Sequence, residues 1–330
     1  MKTILVTGGA GFIGHHMIRR LLKHPEYNII SLDRLDFSGN LNRLSELGQE
    51  FPTETIKRLR VIHHDLRAEI NPQLVKQIGN VDVIIHMAAG SHVNRSIENP
   101  MMFVMDNVVG TCNILEFARR TDNLERFVYF STDEVYGDIE EGSHVETDLL
   151  KPSNPYSATK AAADMLIMAW GRTHNVPYMI IRPTNNYGIG QYVEKLIPKS
   201  VKYLKLGRKI PLHNNGMPYR NWLHADDTAE AVITLIEKGQ VGEIYNIAGG
   251  FEQQNIETVR QVISKFVEVE NWYDFNDDNN FIDFSYSRPG QDVRYALDDS
   301  KLKSLGWSPK KTFSHEISNI VNYYKNKFIW

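Results

Sequence analysis

The stretch TGGAGFIG, Thr7–Gly14, constrains the fold most, because it joins an apolar strand pattern to a helical one. The strand pattern covers Thr3–Thr7, and the helical pattern covers Ile13–His24. Three glycines of the stretch match G-x-G-x-x-G in the strand–turn–helix context that this motif requires. They are Gly9, Gly11 and Gly14. Glycine permits the tight turn and lets backbone N–H groups approach a pyrophosphate, so the sequence predicts a dinucleotide site here.

Short β-branched runs alternate with helical patterns through the first half of the chain. Further strands are predicted at Tyr27–Asp33, Arg60–Asp65, Val81–His86, Arg126–Ser131 and Pro177–Arg182, and further helices at Met101–Arg120 and Ser157–Asn175. Apolar strands that alternate with helices favour a parallel sheet covered on both faces. The expected fold class is therefore α/β, with a doubly wound, parallel-sheet Rossmann domain over residues 1–182 that binds the dinucleotide.

After Arg182 the pattern loosens into loops rich in Asn, Gly and Pro. Residues 183–330 are predicted to form a smaller, mixed α/β lobe that binds substrate, with helices around Glu194–Leu206, Ala225–Lys238 and Ile256–Val267. Short strands such as Gly242–Ile247 are expected to return to the main sheet. The polar stretch at residues 271–280, NWYDFNDDNN, is expected to be an exposed loop.

Composition excludes several classes of protein. The 330 residues are 42% hydrophobic with a formal net charge of −3, which is typical of a globular protein and not of a nucleic-acid surface. No apolar run approaches the ~18 residues that cross a bilayer, and no signal peptide is apparent, so a cytoplasmic enzyme without a membrane or nucleic-acid partner is expected. The single cysteine, Cys112, is expected to be buried and inert, and the histidines show no metal-ligand spacing.

Asp33 ends the second predicted strand and indicates which dinucleotide binds. A carboxylate at this point accepts hydrogen bonds from the adenosine ribose and repels a 2′-phosphate, which favours NAD over NADP. The neighbouring Arg34 is the kind of residue that NADP enzymes use, so it argues in the other direction. Asp65 follows another strand and either contacts the adenine or caps a turn.

Tyr156 and Lys160 form Tyr-x-x-x-Lys at the start of a predicted helix, which places both side chains on one face. An ammonium group there favours the phenolate, so the tyrosine becomes a usable base. Thr132 offers a hydroxyl after the preceding strand. The adjacent carboxylates of Asp133 and Glu134 follow it in STDEVYG, at a point where the strand is expected to have ended.

Together the motifs TGGAGFIG, STDEVYG, YSATK and NNYG, with SHVNRSI and EKLIP, resemble the extended short-chain dehydrogenase/reductase family. Within it the chain most resembles the nucleotide-sugar 4,6-dehydratases, such as dTDP-glucose 4,6-dehydratase, from Met1 to about Trp307. The resemblance implies an NAD-dependent hydro-lyase whose catalytic residues are Thr132, Asp133, Glu134, Tyr156 and Lys160. It implies that Tyr156 takes the O4 proton during C4 oxidation, that Glu134 takes the C5 proton and that Asp133 protonates the departing C6 hydroxyl. The product would be a 4-keto-6-deoxy sugar.

The resemblance also implies two sets of binding residues. Those expected at the cofactor are Gly8, Gly11, Phe12, Ile13, Gly14, Asp33, Asp65, Leu66, Ala88, Ala89, Tyr156, Lys160 and Asn186. Those expected at the nucleotide-diphosphate hexose are Ser91, Asn185, Lys195, Leu196, His213, Arg220, Asn255, Arg288 and Asp292. Three positions depart from the family pattern: Gly90 replaces Glu, Asn94 replaces Asp, and His213 replaces an aromatic Tyr beside the base. The nucleotide and the hexose therefore stay open, with dTDP-glucose and UDP-glucose both expected candidates.

Other functions remain as alternatives. A UDP-sugar 4-epimerase or decarboxylase would share the glycine turn and the Tyr/Lys pair but would not use Asp133 and Glu134. A dehydratase acting on UDP-N-acetylglucosamine would use all of these residues. A non-catalytic dinucleotide-binding protein is the alternative from another class. The resemblance finally implies a homodimer, in which the helices Met101–Arg120 and Ser157–Asn175 pair with those of the partner.

Overall fold

The computed structural model describes residues 1–268, 278–287 and 292–327. Within these ranges the strands are β1 (Lys2–Thr7), β2 (Tyr27–Asp33), β3 (Leu59–His63), β4 (Val83–His86), β5 (Arg126–Phe130), β6 (Tyr178–Pro183), β7 (Asn185–Tyr187), β8 (Ile210–Pro211), β9 (Tyr219–His224), β10 (Ile244–Ile247), β11 (Glu252–Gln254) and β12 (Ile282–Asp283).

The α-helices in the same ranges are α1 (Phe12–Leu22), α2 (Leu41–Glu50), α3 (Thr53–Ile56), α4 (Pro72–Ile78), α5 (Val93–Glu98), α6 (Pro100–Phe103), α7 (Gly110–Ala118), α8 (Pro155–His174), α9 (Leu196–Lys205), α10 (Ala225–Lys238), α11 (Asn255–Val267), α12 (Ser300–Lys303) and α13 (Phe313–Asn326). A π-helical segment, Val104–Val109, joins α6 to α7.

A parallel sheet lies at the centre of the larger part of the molecule. Among the described residues it contains seven strands in the order β3-β2-β1-β4-β5-β6-β10. Successive side chains of a strand point to opposite faces, so Ile4 and Val6 pack in one core with α1 and α10 while Leu5 packs in another with α7 and α8. The sheet is thus covered on both faces, and the predicted doubly wound α/β fold is confirmed.

A smaller lobe follows β6. It contains the mixed sheet β11-β9-β7 and the strand pair β12-β8, whose cores involve Tyr187, Trp222 and Phe313 on one side and Ile256 on the other. Strand β10 pairs in parallel with β6, so this part of the chain does return to the main sheet. The described part of residues 183–330 is therefore shared between the two regions, and the boundary at residue 182 stays a prediction.

The predicted helix Met101–Arg120 is interrupted in the structure. The π-helical turn replaces its middle part and brings the side chains of Asp106 and Asn107 into the protein, where both are buried. Such turns often occur at functional sites because they re-aim side chains. Cys112, on α7, is only partly buried, and its burial raises the pKa of the thiol.

None of the helices in the described ranges combines the length and the apolar character that a bilayer span requires. The predicted exposed loop at residues 271–280 lies outside the described residues up to residue 277.

Candidate active site

One cavity of ≈ 320 Å³ runs along the carboxyl ends of the central strands. Its lining begins at the glycine turn and ends at the Tyr/Lys pair and the two adjacent carboxylates. All of the residues predicted to contact the cofactor line it, and so do the five predicted catalytic residues. The carboxyl ends of parallel strands are where ligands bind in doubly wound folds, so the fold itself accounts for this position.

Close packing explains the glycines of the turn between β1 and α1. Gly8 has φ of +71°, in the left-handed region, and a Cβ there would lie 2.8 Å from the backbone N of Ala88. A Cβ on Gly14 would lie 2.1 Å from the carbonyl oxygen of Gly8, and one on Gly9 would lie 2.3 Å from Ser31 Oγ. Side chains would therefore push α1 away from the sheet and close the surface that a pyrophosphate would approach.

Asp33 and Arg34 lie where the second strand reaches the cleft. The buried Asp33 carboxylate accepts hydrogen bonds from the backbone N–H groups of Ala10 and Leu35, and desolvation raises its pKa. Arg34 donates from Nη2 to Asp106 Oδ2 at 3.0 Å and from Nε to Asp36 Oδ2 at 2.7 Å. Since two carboxylates already neutralise this guanidinium, it is poorly available to a 2′-phosphate, which favours NAD.

A buried chain of hydrogen bonds connects the glycine turn to the π-helical segment. Thr7 Oγ1 accepts from the backbone N–H of Ala88 and lies 2.7 Å from His86 Nδ1. His86 Nε2 lies 3.0 Å from Thr111 Oγ1, which donates to the carbonyl oxygen of Asn107 at 2.6 Å. Since Thr111 uses its only proton there, His86 must donate from Nε2 and accept at Nδ1. Burial lowers the pKa of His86 to about 3, so the ring is held neutral.

Asn107 extends this chain to α8. Its side chain accepts from Gly90 N at 2.8 Å and donates to Gly90 O at 3.1 Å, and it also donates to Thr159 Oγ1 at 2.9 Å. Thr159 in turn donates to the carbonyl oxygen of Tyr156. One buried amide, that of Asn107, therefore fixes α8 to the loop that carries Ala88. The sequence offers no local signal for this role.

Asp133 and Glu134 occupy a 3-10 turn, Asp133–Tyr136, that begins just after β5 has ended, as expected for two neighbouring side chains that face one cleft. Asp133 is 3% exposed, and desolvation together with the charge of Glu134 raises its pKa to about 7. Burial also raises the pKa of Glu134, but the charges of Arg220 and Lys195 and a hydrogen bond from Asn154 oppose this. Asp133 therefore holds a proton up to near neutral pH, and the charges around Glu134 favour the ionised form of that residue.

Tyr156 and Lys160 lie in the first two turns of α8, whose start is fixed by a capping box between Asn154 and Ser157. Burial and the negative charge of Glu134 raise the pKa of Tyr156, whereas a hydrogen bond with Thr132 lowers it. The net effect is a raised pKa, so the expected stabilisation of the phenolate by Lys160 is not observed in this structure.

The Lys160 ammonium donates to the carbonyl oxygen of Phe130 at 2.5 Å and lies 4.3 Å from the centre of the Tyr129 ring. Burial lowers the pKa of Lys160 to about 7, although Asp164 acts in the opposite direction. Lys160 is therefore close to the balance between its charged and neutral forms.

A buried ion pair supports α8 one turn beyond Lys160. Arg182 donates from Nη2 and Nε to Asp164 Oδ2, with distances of 3.0 and 3.1 Å. The side chains are 2% and 0% exposed, and Arg182 also donates to the Tyr136 hydroxyl at 2.7 Å. This group ties the end of β6 to α8 and to the turn that carries Asp133 and Glu134.

The residues predicted to bind substrate lie in two places. Ser91, Asn185 and Lys195 line the cleft, and Lys195 donates to the carbonyl oxygen of Ser91 at 2.8 Å. Among the described residues, the following do not line this cavity: Leu196, His213, Arg220, Asn255 and Asp292. Arg288 lies outside the described residues.

Of these more distant residues, Arg220 still acts on the carboxylates through its charge and donates to the carbonyl oxygen of Asp292 at 3.3 Å. His213 packs edge-on against Tyr286, with the ring centres 5.9 Å apart. The structure therefore brings Arg220 and Asp292 near the carboxylates and leaves the binding roles of all five residues as predictions.

Gly90, where the family pattern has Glu, is fitted to its surroundings. A Cβ there would lie 3.0 Å from the ring of Phe103 and 3.4 Å from Asp106 Oδ2. A glutamate at this position would require Phe103 to move and would face a second carboxylate. The contacts of Gly90 with Phe103 and with Asp106 of the π-helical segment therefore explain why glycine fits here in place of the glutamate of the family pattern.

Comparison with known proteins agrees with this geometry. Residues 5–320 match the family described as GDP-mannose 4,6 dehydratase. The chain belongs to this family. The resemblance to nucleotide-sugar 4,6-dehydratases of the extended short-chain dehydrogenase/reductase type is therefore confirmed.

Three relatives illustrate the range of the family. The low-salt glycan biosynthesis protein Agl12 of Haloferax volcanii is 38% identical, with 97% of this chain and 98% of that protein covered. The dTDP-glucose 4,6-dehydratase of Escherichia coli is 36% identical, with 99% and 94% covered. The trifunctional protein RHM1 of Arabidopsis thaliana, which is named for UDP-glucose 4,6-dehydratase among its activities, is 38% identical, and this chain spans 48% of its length.

Solved structures show the same fold. The dTDP-glucose 4,6-dehydratase DesIV of Streptomyces venezuelae, determined with NAD bound, has a TM-score of 0.87 and 37% identity, with 98% of this chain and 97% of that chain covered. The UDP-glucose 4-epimerase of Thermus thermophilus, also determined with NAD, has a TM-score of 0.85 and 25% identity, with 99% and 100% covered. The fold is thus common to dehydratases and epimerases, and the side chains of the cleft must distinguish them.

Proposed function

We propose that this chain is an NAD-dependent nucleotide-sugar 4,6-dehydratase that converts a nucleoside-diphosphate hexose to its 4-keto-6-deoxy derivative. The observation that carries the proposal is the pair Asp133 and Glu134, which lies in the same cleft as Tyr156 and Lys160. A 4-epimerase needs a base at O4 but no acid and base for the loss of water. Two neighbouring carboxyl groups, one protonated and one ionised, match the demand of an elimination.

The cleft fits NAD on the chemistry of its own residues. The glycine turn leaves room for a pyrophosphate at the start of α1, Asp33 supplies an acceptor for ribose hydroxyls, and Lys160 supplies a donor farther along the cleft. Bound there, NAD⁺ would accept the C4 hydride and later return it to C6. The names of the related dehydratase and epimerase structures, both determined with NAD, support this assignment.

The residues of the chain then divide the proton transfers among them. Tyr156, assisted by Thr132, removes the O4 proton as C4 is oxidised to a ketone. The ketone acidifies the C5–H bond, so Glu134 can take that proton while Asp133 gives its own proton to the C6 hydroxyl, which leaves as water. Glu134 returns the proton to C5 when C6 is reduced.

At the end of this sequence Tyr156 has gained one proton and Asp133 has lost one, so a proton must pass between them, directly or through solvent, before the next turnover. The structure favours this division because the pKa of Asp133, at about 7, lets it carry a proton at neutral pH. The charges of Arg220 and Lys195 favour the ionised form of the neighbouring Glu134, against the effect of its burial. If the roles were exchanged, the more deeply buried carboxyl would have to be the ionised one.

We propose glucose as the hexose and either dTDP or UDP as the nucleotide. The names of the Escherichia coli and Arabidopsis thaliana relatives support the two nucleotides equally, at 36% and 38% identity. The position of His213 beside Tyr286 supports a nucleotide pocket that differs from the family pattern.

We also propose a homodimer. On α8, Ala158, Ala162 and Met165 form an exposed apolar stripe, and Met101 and Met105 continue this kind of surface on the neighbouring helical segment. Met101 is 65% exposed and Met165 is 49% exposed, and exposed apolar side chains on neighbouring helices often mark an interface. Sedimentation velocity should show a dimer for the wild type and a monomer for Met165→Glu.

The activity is tested with a panel of nucleotide hexoses in D₂O, which contains dTDP-glucose, UDP-glucose, GDP-mannose, UDP-N-acetylglucosamine and UDP-glucuronic acid. A dehydratase gives a product lighter by one water with deuterium at C5. A 4-epimerase gives a product of unchanged mass, and a decarboxylase acting on a uronic acid releases carbon dioxide. Binding of NAD without turnover of any sugar would support the non-catalytic alternative and contradict the proposal.

A further inference from the structure

Thr184, which follows β6, lies against the carboxyl group of Asp133 and is 4% exposed. Its Oγ1 is 3.0 Å from Asp133 Oδ2 and 3.1 Å from the carbonyl oxygen of Asn221 on β9. Both distances are those of O–H···O hydrogen bonds, and no other role has been assigned to this threonine. Asp133 Oδ1, on the other side of the carboxyl group, accepts from Thr132 Oγ1 at 3.1 Å.

Counting protons limits how this group is arranged. The Thr184 hydroxyl has one proton, and the carbonyl oxygen of Asn221 has none to give. If Asp133 is ionised, this proton is directed to Oδ2 or shared between Oδ2 and Asn221, an arrangement that lowers the pKa of the acid. If Asp133 is protonated, the acid donates to Thr184 Oγ1 and Thr184 donates to Asn221, so that each of the two contacts holds a proton.

We propose that Thr184 is a positioning residue that holds Asp133 in its protonated form through this accepted hydrogen bond. The inference rests on the proposed function, in which Asp133 is the acid that protonates the leaving hydroxyl. Thr184 itself transfers no proton. Its hydroxyl is oriented by the backbone of β9, so the smaller lobe and the main sheet together set the state of the acid.

Other groups also act on Asp133 and must stay constant in a test. Glu134 lies on the same turn and favours the protonated acid, and Arg220 on β9 favours the ionised one. Tyr156 on α8 is coupled to Asp133 as well, since the Asp133 charge raises the pKa of the phenol. Substitutions at Thr184 leave these three side chains in place.

The experiment compares Thr184→Val with Thr184→Ser in the pH profile of kcat. Valine keeps the shape of threonine but can neither donate nor accept, whereas serine keeps the hydroxyl. If Thr184 accepts from protonated Asp133, its removal makes the acid easier to ionise. The basic limb of the profile should then move to lower pH by about one unit in Thr184→Val, the effect of losing one neutral hydrogen bond, and should stay in place in Thr184→Ser.

The opposite arrangement predicts the opposite sign. If Thr184 donated to an ionised Asp133, the Val variant would raise the pKa of Asp133 and move the basic limb to higher pH. A limb that moves upward, or one that does not move, would overturn the proposal. Thermal melting of both variants shows whether the Val protein is folded.

Infrared difference spectroscopy gives a second measurement that does not depend on the Val variant. The wild-type protein at slightly acidic pH should show the C=O stretch of a protonated carboxyl group that Asp133→Asn lacks, and this stretch should weaken as the pH rises through about 7. Its absence would also overturn the proposal. These outcomes are separate from the proposed function, which fails if the wild type removes water from no nucleotide hexose.

Discussion

Replacing Asp133 by Asn should stabilise the protein at neutral pH while it abolishes dehydration. The pKa of Asp133 rises from an ordinary 3.8 to about 7, mainly because the carboxyl group is desolvated. At about 1.4 kcal/mol for each factor of ten in the ionisation constant, this rise corresponds to about 4 kcal/mol. Asparagine carries no charge, and its amide can donate to Thr184 as the protonated acid does. We therefore expect a gain of about 2 to 4 kcal/mol in the free energy of unfolding, since burial of the new amide offsets a part.

The sign of the pH dependence of stability follows from the protonation of Asp133 in the folded and unfolded states. Below the ordinary pKa of 3.8, both the folded and the unfolded protein hold the Asp133 proton, and the stabilities of the two variants should be similar. Between 3.8 and about 7 the unfolded chain loses this proton while the folded protein keeps it, so the wild type becomes less stable as the pH rises. Above about 7 the difference should be constant.

Thermal unfolding across this pH range measures the difference. For a chain of this length, 2 to 4 kcal/mol corresponds to an increase in Tm of about 3 to 6 °C at neutral pH. The exposed Asp122→Asn is the matched control, because it makes the same chemical change at a surface turn and should alter stability by less than about 0.5 kcal/mol. A difference between Asp133→Asn and the wild type that does not grow with pH, or an Asn variant that is less stable at neutral pH, would refute the reasoning.

Further substitutions test three separate parts of the site. Glu134→Gln should reduce C5 deuterium exchange by about 10² to 10⁴, the usual contribution of a general base. A rise in nicotinamide absorbance would show that C4 oxidation persists in this variant. Exchange at the wild-type rate would contradict the role of Glu134 as the base. Asp33→Ser should lower the ratio of the NADP to the NAD dissociation constant by about tenfold, because it removes the carboxylate beside the ribose. Arg34→Ala should change this ratio little, because the Arg34 guanidinium is already paired with Asp36 and Asp106. Asp164→Asn should destabilise the protein by about 3 to 5 kcal/mol in urea unfolding, since it leaves Arg182 buried without its partner, and replacing both residues by apolar ones should recover most of the loss.

The sheet could be predicted from the sequence because its strands are short apolar runs that need no partner to be recognised. The glycine turn and the Tyr-x-x-x-Lys pair are equally local, since each lies within a few residues of the chain. Asp133 and Glu134 are adjacent in the sequence. Their position in one cleft could therefore be predicted once the end of β5 was placed correctly. These features are the ones for which sequence spacing and spatial proximity coincide.

The remaining parts of the site depend on contacts between distant segments. Thr184 meets Asp133 across 51 residues, and Asn107 meets Thr159 across 52. The pairing of Arg34 with Asp106 spans 72 residues and removes the argument for NADP that its position alone suggests. The interruption of the predicted helix Met101–Arg120 has the same origin, because the π-helical turn is favoured by buried partners of Asp106 and Asn107 that lie elsewhere in the chain.

The side-chain amide at the start of α8 meets two chemical demands at once. Asn154 Oδ1 accepts the backbone N–H of Ser157 and so begins the helix, while its Nδ2 donates to Glu134 Oε2 at 3.4 Å. Serine, threonine and aspartate would begin the helix as well, but aspartate cannot donate, and the hydroxyl oxygen of serine or threonine lies one bond closer to the backbone than the amide nitrogen that reaches Glu134. Other helix-starting residues are therefore not equivalent to asparagine at this position. A substitution of Asn154 that keeps the helix would first change the pKa of Glu134, the proposed base.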